Sequence, residues 1–344
     1  MVANLKVMIA AGGTGGHIYP GLALAAALRE ADPDAGISFV GTARGMESRL
    51  ITGFPLHLVD MVPMIRSEAA RFPFALARAA AQCRALIRRT GARAVVGMGG
   101  YASAPLIAGA RLAGVPALIH ESNAVPGRAN RFSARLTGNV ALAMPSAGMT
   151  GRVVGMPMRA VRQLPRAFAR AELGVPDHAR LIVVNGGSAG AVRLNAAAVE
   201  LAHRWRDRDD VRIVIKAGTE GVELLGERLP GGGNAWAVPY FPDMDLVYAA
   251  ADALVCRSGS ATVAELAVHG TPAVLVPYPH APHDHQTRNA RALDGSVVLP
   301  DGELSGAALE LALGRLGPRR AFDPAHPHLR AAAELAAWTL ELTR

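Results

Sequence analysis

Residues 10–25, AAGGTGGHIYPGLALA, decide the fold. They follow a short apolar run that starts at Leu5, and they place four glycines around Thr14 before a segment of helical character. Glycine lacks Cβ and tolerates positive φ, so the backbone N–H groups of such a turn can surround an anion at the start of a helix. The stretch therefore predicts a strand, a phosphate-binding turn that uses no lysine, and a helix.

The same device occurs twice more along the chain, at residues 97–100 and 186–190. Short apolar runs alternate with helical segments in the first half, and the alternation starts again near residue 180. The pattern predicts two doubly wound α/β domains with parallel sheets, covering residues 1–158 and 159–325. A C-terminal helix, 326–344, can pack on the first domain, although the sequence leaves its place open. Glycine turns of this kind gather at the carboxyl ends of the strands, where ligands bind.

Composition excludes several classes of protein. The chain has 344 residues, of which 51% are hydrophobic and 19% charged, as expected for a globular α/β protein. No run of apolar residues reaches the 18 or so of a membrane span. The two cysteines, Cys83 and Cys256, lack metal-ligand spacing, and the two lysines, Lys6 and Lys216, do not follow a glycine loop as a P-loop requires.

The glycine turns allow two other interpretations. A dinucleotide fingerprint fails because Ile18 stands where its last glycine belongs and because the second strand does not end in an acid. The segment GGSAG, 186–190, fits the nucleophile elbow of a hydrolase, and Asp284 and His285 follow in the order of a triad. The hydrolase stays open as an alternative.

Six ordered motifs together resemble the MurG family of cell-wall glycosyltransferases. They are GGTGGHIYPGLALA, GMGGYASAPLIA, HESNAVPGRANR, NGGSAGAVRLN, CRSGSATVAELAVHGTPAVLVPYP and DHQTRNARAL, and they run from about residue 7 to residue 293. The resemblance implies a GT-B fold, in which two Rossmann-like domains face a cleft. It also implies inverting transfer of N-acetylglucosamine from UDP-GlcNAc to the 4-hydroxyl of MurNAc in undecaprenyl-diphosphate-MurNAc-pentapeptide, called lipid I, to give lipid II. Another UDP-sugar enzyme, such as a glycolipid synthase, or a non-catalytic nucleotide-sugar sensor remains an alternative.

The resemblance assigns donor-binding residues chiefly to the second domain. It implies that Arg159 and Ser188 contact the diphosphate, that the backbone of Phe241 binds uracil and that Glu265 binds the ribose hydroxyls. A helix that opens at the α-phosphate would contribute Ser260, Ala261, Thr262, Val263 and Ala264.

The sugar and the acceptor involve further residues by the same resemblance. Asn123 and Gln286 would hold the hydroxyls of the sugar. The nucleotide sugar would also touch Thr14, Gly15 and Gly16. The acceptor diphosphate would lie against Gly12, Gly13, Gly99, Gly100 and Tyr101.

Inverting transfer needs a base for the incoming hydroxyl and stabilisation of the departing UDP. We expect His17 to be the base, because imidazole titrates near neutral pH, and Glu121 is the other candidate. The segment Asp243–Asp245 has the letters of a metal-binding D-x-D motif, but it starts a predicted helix and favours a capping function. No cofactor or metal is expected.

A basic segment predicts a membrane surface as a partner. Between Arg66 and Arg93 seven arginines accompany one acid, with Phe72 and Phe74 among them. Residues 66–89 would hold the protein peripherally on an anionic membrane, on the cytoplasmic face of the plasma membrane in view of the lipid-linked acceptor. No nucleic-acid recognition motif appears, so we expect no nucleic-acid partner.

Overall fold

The computed structural model describes residues 5–43, 45–61, 71–187 and 191–344. The chain divides into two compact units. The first consists of Met1–Ala160 together with Ala325–Arg344, and the second of Val161–Pro324.

The first unit is built on a parallel sheet. Its strands are β1 Lys6–Ala10, β2 Gly36–Gly41, β3 Leu56–Leu58, β4 Ala94–Gly97, β5 Ala117–Glu121, β6 Val140–Leu142 and β7 Arg152–Val153. Within the described residues their order is β3-β2-β1-β4-β5-β6-β7, and neighbouring strands run parallel. Its helices are α1 Gly15–Ala31, α2 Glu47–Leu50, α3 Phe72–Thr90, α4 Ser103–Ala113 and α5 Arg128–Ser133.

Strand β1 lies at the centre of this sheet and is apolar on both sides. Met8 and Ile9 are both fully buried, since helices cover each face of the sheet. Ile9 packs in one cluster with Leu24 of α1, and Met8 packs in another with Cys83 of α3 and Ile107 of α4. Burial on two faces explains why the strand reads as a continuous apolar run.

The second unit repeats the architecture with its own sheet. Its strands are β8 Arg180–Asn185, β9 Val211–Lys216, β10 Ala235–Val238, β11 Ala253–Cys256, β12 Ala273–Leu275 and β13 Val297–Val298. Their order is β10-β9-β8-β11-β12-β13 in the part of the chain that is described, again parallel throughout. Its helices are α6 Arg166–Glu172, α7 Val192–Arg204, α8 Gly221–Gly226, α9 Met244–Ala250, α10 Ser260–His269, α11 His285–Arg291 and α12 Gly306–Gly314, with 3₁₀ turns at Pro282–Asp284 and Asp301–Glu303.

The last helix, α13 Pro327–Glu341, packs on the first unit. Leu335 is fully buried in the cluster that contains Leu24 of α1. At its start, the Nδ1 atom of His328 accepts a hydrogen bond of 3.1 Å from the N–H of Met156. Burial, with smaller contributions from the nearby His326 and His120, lowers the pKa of His328 to about 4. This imidazole is therefore neutral at physiological pH.

Each sheet has a point where the connections change direction. It lies between β1 and β4 in the first sheet and between β8 and β11 in the second. Ligands of doubly wound proteins bind at the carboxyl ends of the strands that flank such a point. The two parallel α/β sheets confirm the predicted fold class. No helix among the described residues is both long and apolar enough to span a membrane.

Candidate functional site

The first glycine turn joins β1 to α1. Thr14 stands just before the helix with an extended backbone, and its side chain makes no capping hydrogen bond. The carbonyl of Thr14 accepts from the N–H groups of His17 and Ile18. Gly15 and Gly16 occupy the first two helical positions, whose N–H groups have no acceptor within an α-helix. The turn thus presents backbone donors at the positive end of α1.

The second turn, after β4, packs against the first. A Cβ on Gly100 would lie only 2.2 Å from the carbonyl oxygen of Gly12, so the two backbones can meet because residue 100 is glycine. Gly99 and Gly100 both have positive φ. Ser103 fixes the turn, since its Oγ accepts from the N–H of Gly99 at 2.9 Å. Tyr101, next in the chain, is exposed.

His17 lies between the two turns. Its Nδ1 is 3.1 Å from the carbonyl oxygen of Gly12. A Cβ on Gly99 would lie 2.9 Å from its Nε2. The structure therefore brings together His17, Gly12, Gly13, Gly99 and Gly100, which the sequence assigns to one site.

Glu47 is a residue of this region that sequence reasoning missed. It is fully buried at the start of α2, and its Oε1 accepts from the N–H of Gly13 at 3.2 Å and from the N–H of Thr42 at 2.9 Å. A Cβ on Gly12 would lie 2.8 Å from the same oxygen. Because the N–H of Gly13 donates to Glu47, it is not available to a ligand. The N–H groups that the turn can offer a ligand therefore belong to residues after Gly13. Gly41 and Gly45, which precede this acid in the chain, were the available signal, because a Cβ on either would meet the side chain of Glu47.

Glu121 ends β5 and is buried, with 2% of its surface exposed. Its carboxylate accepts from the N–H and side-chain amide of Asn123, from the N–H of Gly127 at 3.0 Å and from the amide of Asn130 at 2.9 Å. These bonds fold the loop after β5 around the carboxylate. Glu121 and Asn123, which the sequence assigns to different tasks, are hydrogen-bonded to each other.

In the second unit, β8 ends at the third glycine turn. The N–H of Gly187 donates a hydrogen bond of 3.1 Å to Oδ1 of Asn185. The carbonyl oxygen of Gly187 accepts a hydrogen bond of 3.0 Å from Nζ of Lys216. Burial lowers the pKa of Lys216. Ser188, predicted to contact the diphosphate, lies outside the described residues. Lys216 ends β9 directly beside Asn185, so the parallel pairing of two successive strands was the signal that could have found it.

Helix α10 begins after β11, on the other side of the switch point. Gly259 precedes it, and the N–H of Val263 already bonds the Gly259 carbonyl. The side chains of Val263 and Ala264 are buried in the unit. The backbone donors that this N-terminus can offer a ligand therefore belong to Ser260, Ala261 and Thr262. Glu265 follows one turn later and accepts a 2.6 Å hydrogen bond from the hydroxyl of Tyr248.

Gln286 lies at the start of α11, and Phe241 lies on the loop after β10 of the same unit. The side-chain oxygen of Gln286 accepts from the N–H of Tyr278 at 2.9 Å, and its carbonyl accepts from the buried Ser258. Phe241 follows β10 and packs half-buried against the core. The prediction that Asp243 caps a helix is confirmed, since its carboxylate accepts from the N–H of Asp245 at the start of α9.

Arg159 and the basic segment are the remaining predicted regions. Arg159 is exposed in the segment after β7, where its guanidinium contacts the carbonyl of Ala160. Residues 66–70 of the basic segment lie outside the described residues, and the rest forms the start and body of α3. Within the described residues, no group of three or more His, Cys, Asp or Glu side chains could hold a metal ion.

Comparisons with known proteins agree on the family. Residues 7–142 match the glycosyltransferase family 28 N-terminal domain, and residues 181–320 match the C-terminal domain of that family. The chain is 38% identical over 334 residues to a protein of Desulforudis audaxviator, covering 91% of this chain and 90% of that protein. It is 41% identical over 314 residues to a protein of Saccharopolyspora erythraea, covering 87% of this chain and 82% of that protein.

Both relatives are named UDP-N-acetylglucosamine–N-acetylmuramyl-(pentapeptide) pyrophosphoryl-undecaprenol N-acetylglucosamine transferase. The crystal structure of Acinetobacter baumannii MurG is similar, with a TM-score of 0.79 and 28% identity over 98% of this chain and 99% of that one. The family resemblance of the sequence motifs is confirmed. The chain belongs to glycosyltransferase family 28 and, within it, to the MurG family.

Proposed function

We propose that the chain is an inverting N-acetylglucosaminyltransferase that converts lipid I to lipid II in peptidoglycan synthesis. Its donor is UDP-GlcNAc, and its acceptor is undecaprenyl-diphosphate-MurNAc-pentapeptide. One observation carries the proposal beyond the names of the relatives: each unit presents a glycine turn and a helix N-terminus at its switch point. Both substrates are diphosphates, and each unit has the backbone donors to bind one without a P-loop lysine.

His17 is the proposed base. A carbonyl oxygen only accepts hydrogen bonds, so the contact with Gly12 requires the proton on Nδ1. In the neutral ring, Nε2 then carries the lone pair that can take the proton from the 4-hydroxyl of MurNAc. The hydroxyl oxygen attacks the anomeric carbon of the donor, and the bond from that carbon to UDP breaks.

Glu121 acts as a positioning residue in this proposal. Four donors from the loop after β5 and from α5 surround its carboxylate, so its hydrogen-bonding capacity is used in holding Asn123, Gly127 and Asn130. A base needs a lone pair directed at the substrate hydroxyl. The geometry favours His17 over Glu121 for proton removal.

The departing UDP is an anion, and the second unit supplies compensating charge. The N–H groups of Ser260, Ala261 and Thr262 and the positive end of α10 would face the α-phosphate. Arg159 and Ser188 would add donors at the diphosphate. Phe241 would bind uracil, Glu265 the ribose, and Asn123 with Gln286 the hydroxyls of the sugar.

The acceptor diphosphate would bind at the turns of the first unit. Gly13 donates its N–H to Glu47, so the donors left for a phosphate include those of Gly15 and Gly16. Gly12, Gly99 and Gly100 would line the path of the diphosphate. A Cβ at any of them would meet the protein itself, so glycine at these positions keeps the two turns in contact. Tyr101 would cover it from the exposed side.

The lipid tail of the acceptor places the reaction at a membrane surface. Helix α3 carries Arg78, Arg84, Arg88 and Arg89, and Phe74 at its start is 80% exposed. Arginines attract anionic lipid headgroups, and an exposed aromatic ring can enter the interface. We therefore propose peripheral binding at the cytoplasmic face through residues 66–89.

A transfer assay tests the function. The purified protein is incubated with radiolabelled UDP-GlcNAc and a short-chain lipid I analogue, and the lipid product is separated by chromatography. We expect label in a disaccharide product and none when the acceptor is omitted. UDP-glucose in place of UDP-GlcNAc distinguishes a different UDP-sugar enzyme.

Failure to form product, while UDP still binds, would contradict the transferase and leave the nucleotide-sugar sensor. The hydrolase alternative has its own outcome, since a fluorophosphonate probe should then label Ser188. Absence of labelling removes that alternative.

A further inference from the structure

Tyr248 contacts the side chain that is proposed to bind ribose. It lies on α9, where only 1% of its surface is exposed, and its hydroxyl donates to Oε2 of Glu265 on α10. The oxygen-to-oxygen distance is 2.6 Å, which is typical of a hydroxyl bonded to an ionised carboxylate. A buried hydroxyl thus helps to fix the direction in which the half-buried Glu265 points.

The ring of Tyr248 is itself held in place by neighbouring groups. His269 stacks on it, with ring centroids 4.8 Å apart and an angle of 19° between the planes. His269 is also buried, and its Nε2 lies 3.5 Å from Oδ1 of Asp245. Thr271 donates to the backbone carbonyl of Tyr248 at 3.0 Å. The phenol therefore cannot turn away from Glu265 without disturbing packed residues.

A carboxylate has about four acceptor positions, and the phenol uses one of them. A carboxylate already fixed in one rotamer loses less conformational entropy when a ligand binds. The paired hydroxyls of a ribose suit such an acceptor, and a deoxyribose offers only one of them. The contact from Tyr248 is thus of greatest value to a ligand that carries both hydroxyls.

We propose that Tyr248 is a positioning residue that holds Glu265 for a ribose diol and so sets the preference of this unit for ribonucleotides over deoxyribonucleotides. The inference rests on the proposed function, in which Glu265 binds the donor ribose. It assigns the specificity to a side chain that does not touch the nucleotide.

Calorimetric titration of UDP and of 2′-deoxy-UDP tests the proposal without an acceptor. We expect the intact protein to bind UDP about tenfold or more tightly than 2′-deoxy-UDP, because a carboxylate loses one hydrogen-bond donor. In Tyr248→Phe, UDP should bind about tenfold more weakly while 2′-deoxy-UDP changes by less than about threefold, so the preference collapses. A purely structural function of Tyr248 would weaken both ligands equally.

Thr271→Val is the matched control. It removes a buried hydrogen bond to the same residue without touching the phenol or Glu265. Its preference for UDP should equal that of the unchanged protein, and melting temperatures report whether each variant is folded.

Glu265→Asp reaches the same contact from its other side, because a side chain one methylene shorter withdraws the carboxylate from the phenol. Its preference should fall as in Tyr248→Phe, and the double variant should lose nothing more. Because Glu265 itself is proposed to bind the ribose, the informative comparison is the effect of Tyr248→Phe, which should be large in the unchanged protein and absent in Glu265→Asp. If Tyr248→Phe does not fold, Tyr248→Met, which also lacks the hydroxyl, replaces it in both backgrounds.

Three outcomes would overturn the proposal. An undiminished preference in folded Tyr248→Phe refutes the positioning alone and leaves the transferase intact. The positioning is refuted in the same way if the double variant loses affinity for UDP by the product of the two single-variant factors. Equal binding of both nucleotides by the unchanged protein, or binding of neither, refutes the ribose site and with it the donor placement of the proposed function.

Discussion

His17 can order the first glycine turn, act as a base, or do both, and the position of its proton separates these tasks. Nδ1 donates to Gly12, which holds the turn, and Nε2 would accept the substrate proton. A side chain that keeps the first contact and lacks the second atom can distinguish them. Asparagine has this property, since its amide nitrogen stands at about the position of Nδ1.

We therefore expect His17→Asn to fold normally and bind UDP as before. Loss of a general base should lower kcat by about 10²–10⁴-fold. The measurement is steady-state transfer to the lipid I analogue with UDP binding by calorimetry alongside. Turnover close to that of the unchanged protein would mean that the residue only orders the turn.

Glu47 shows a second way in which one side chain shapes this turn. Its Oε1 accepts from two backbone N–H groups, of Gly13 and Thr42, that lie in different loops. In Glu47→Ala both donors lose their partner, and each unsatisfied buried donor costs about 1–3 kcal/mol.

We expect Glu47→Ala to lower the free energy of unfolding by a few kcal/mol, on the order of two such losses, and to raise the KM for the acceptor. Urea unfolding and acceptor kinetics measure the two effects. Glu30→Ala, an exposed acid on α1, is the control and should change neither. Equal KM values for the two variants would show that the turn does not depend on Glu47.

At the scale of elements, α13 joins the first unit through a histidine that must stay neutral. His328 accepts from Met156 through Nδ1, and protonation of that atom would break the bond. Its pKa is about 4 in the folded chain against an ordinary value of 6.5. The unfolded chain therefore binds more protons between these values.

Stability should accordingly fall as pH drops from about 6.5 to about 4 and should be independent of this group above that range. The full loss is about 3 kcal/mol at the acid end. His328→Asn keeps an acceptor near Nδ1 and cannot be protonated, so its unfolding free energy should depend less steeply on pH. Burial also lowers the pKa of His120, which this variant keeps. The unfolding free energy of the variant should therefore still depend on pH, but less than that of the unchanged protein.

Urea unfolding between pH 4.5 and 7.5, followed by circular dichroism, gives the comparison. His178→Asn alters an exposed histidine and serves as the reference. Identical slopes in the two variants would contradict the assignment to His328.

Helix α3 carries the proposed membrane surface, and its charge can be removed without touching its buried side. Arg78, Arg88 and Arg89 are exposed, while Cys83 and Ile87 face the core. Each arginine near an anionic surface contributes about 1 kcal/mol. Replacing the three by glutamine should weaken binding to vesicles of anionic phospholipid by about two orders of magnitude.

Sedimentation with vesicles measures this binding. The matched control replaces three arginines of the second unit by glutamine, so it removes the same charge. Arg206 and Arg208 are exposed, and Arg212 is half-buried. Equal weakening by both triple variants would show that total charge, and not α3, governs the interaction.

At the scale of the whole molecule, features set by local sequence were predictable and those set by packing were not. Glycine turns after apolar runs marked β1 and β4 because strand and turn are neighbours along the chain. Glu47 and Tyr248 act across distances of 34 and 17 residues, so their contacts exist only once the sheets have formed. The resemblance of the motifs proposes Glu265 as the ribose ligand, but it does not indicate Tyr248, whose hydroxyl donates to that carboxylate.

The position of α13 illustrates the same limit. Its apolar face predicts that it packs on something, but helical periodicity does not say on which surface. Leu335 finds its partners on α1, near the other end of the chain. Lys216 stands between the predictable and the unpredictable residues. The sequence predicts its strand, but only the pairing of β8 with β9 places it beside the third turn.

The contact between Gly100 and the Gly12 carbonyl has a consequence for engineering. Position 100 cannot accept a larger residue unless the backbone of Gly12 shifts, so we expect redesign to succeed only at the rim of the two turns. Thr14 and Tyr101 are both exposed there, and their side chains can vary without displacing the backbones beneath. Libraries that probe which substrates this proposed site accepts should randomise these two positions and keep Gly100.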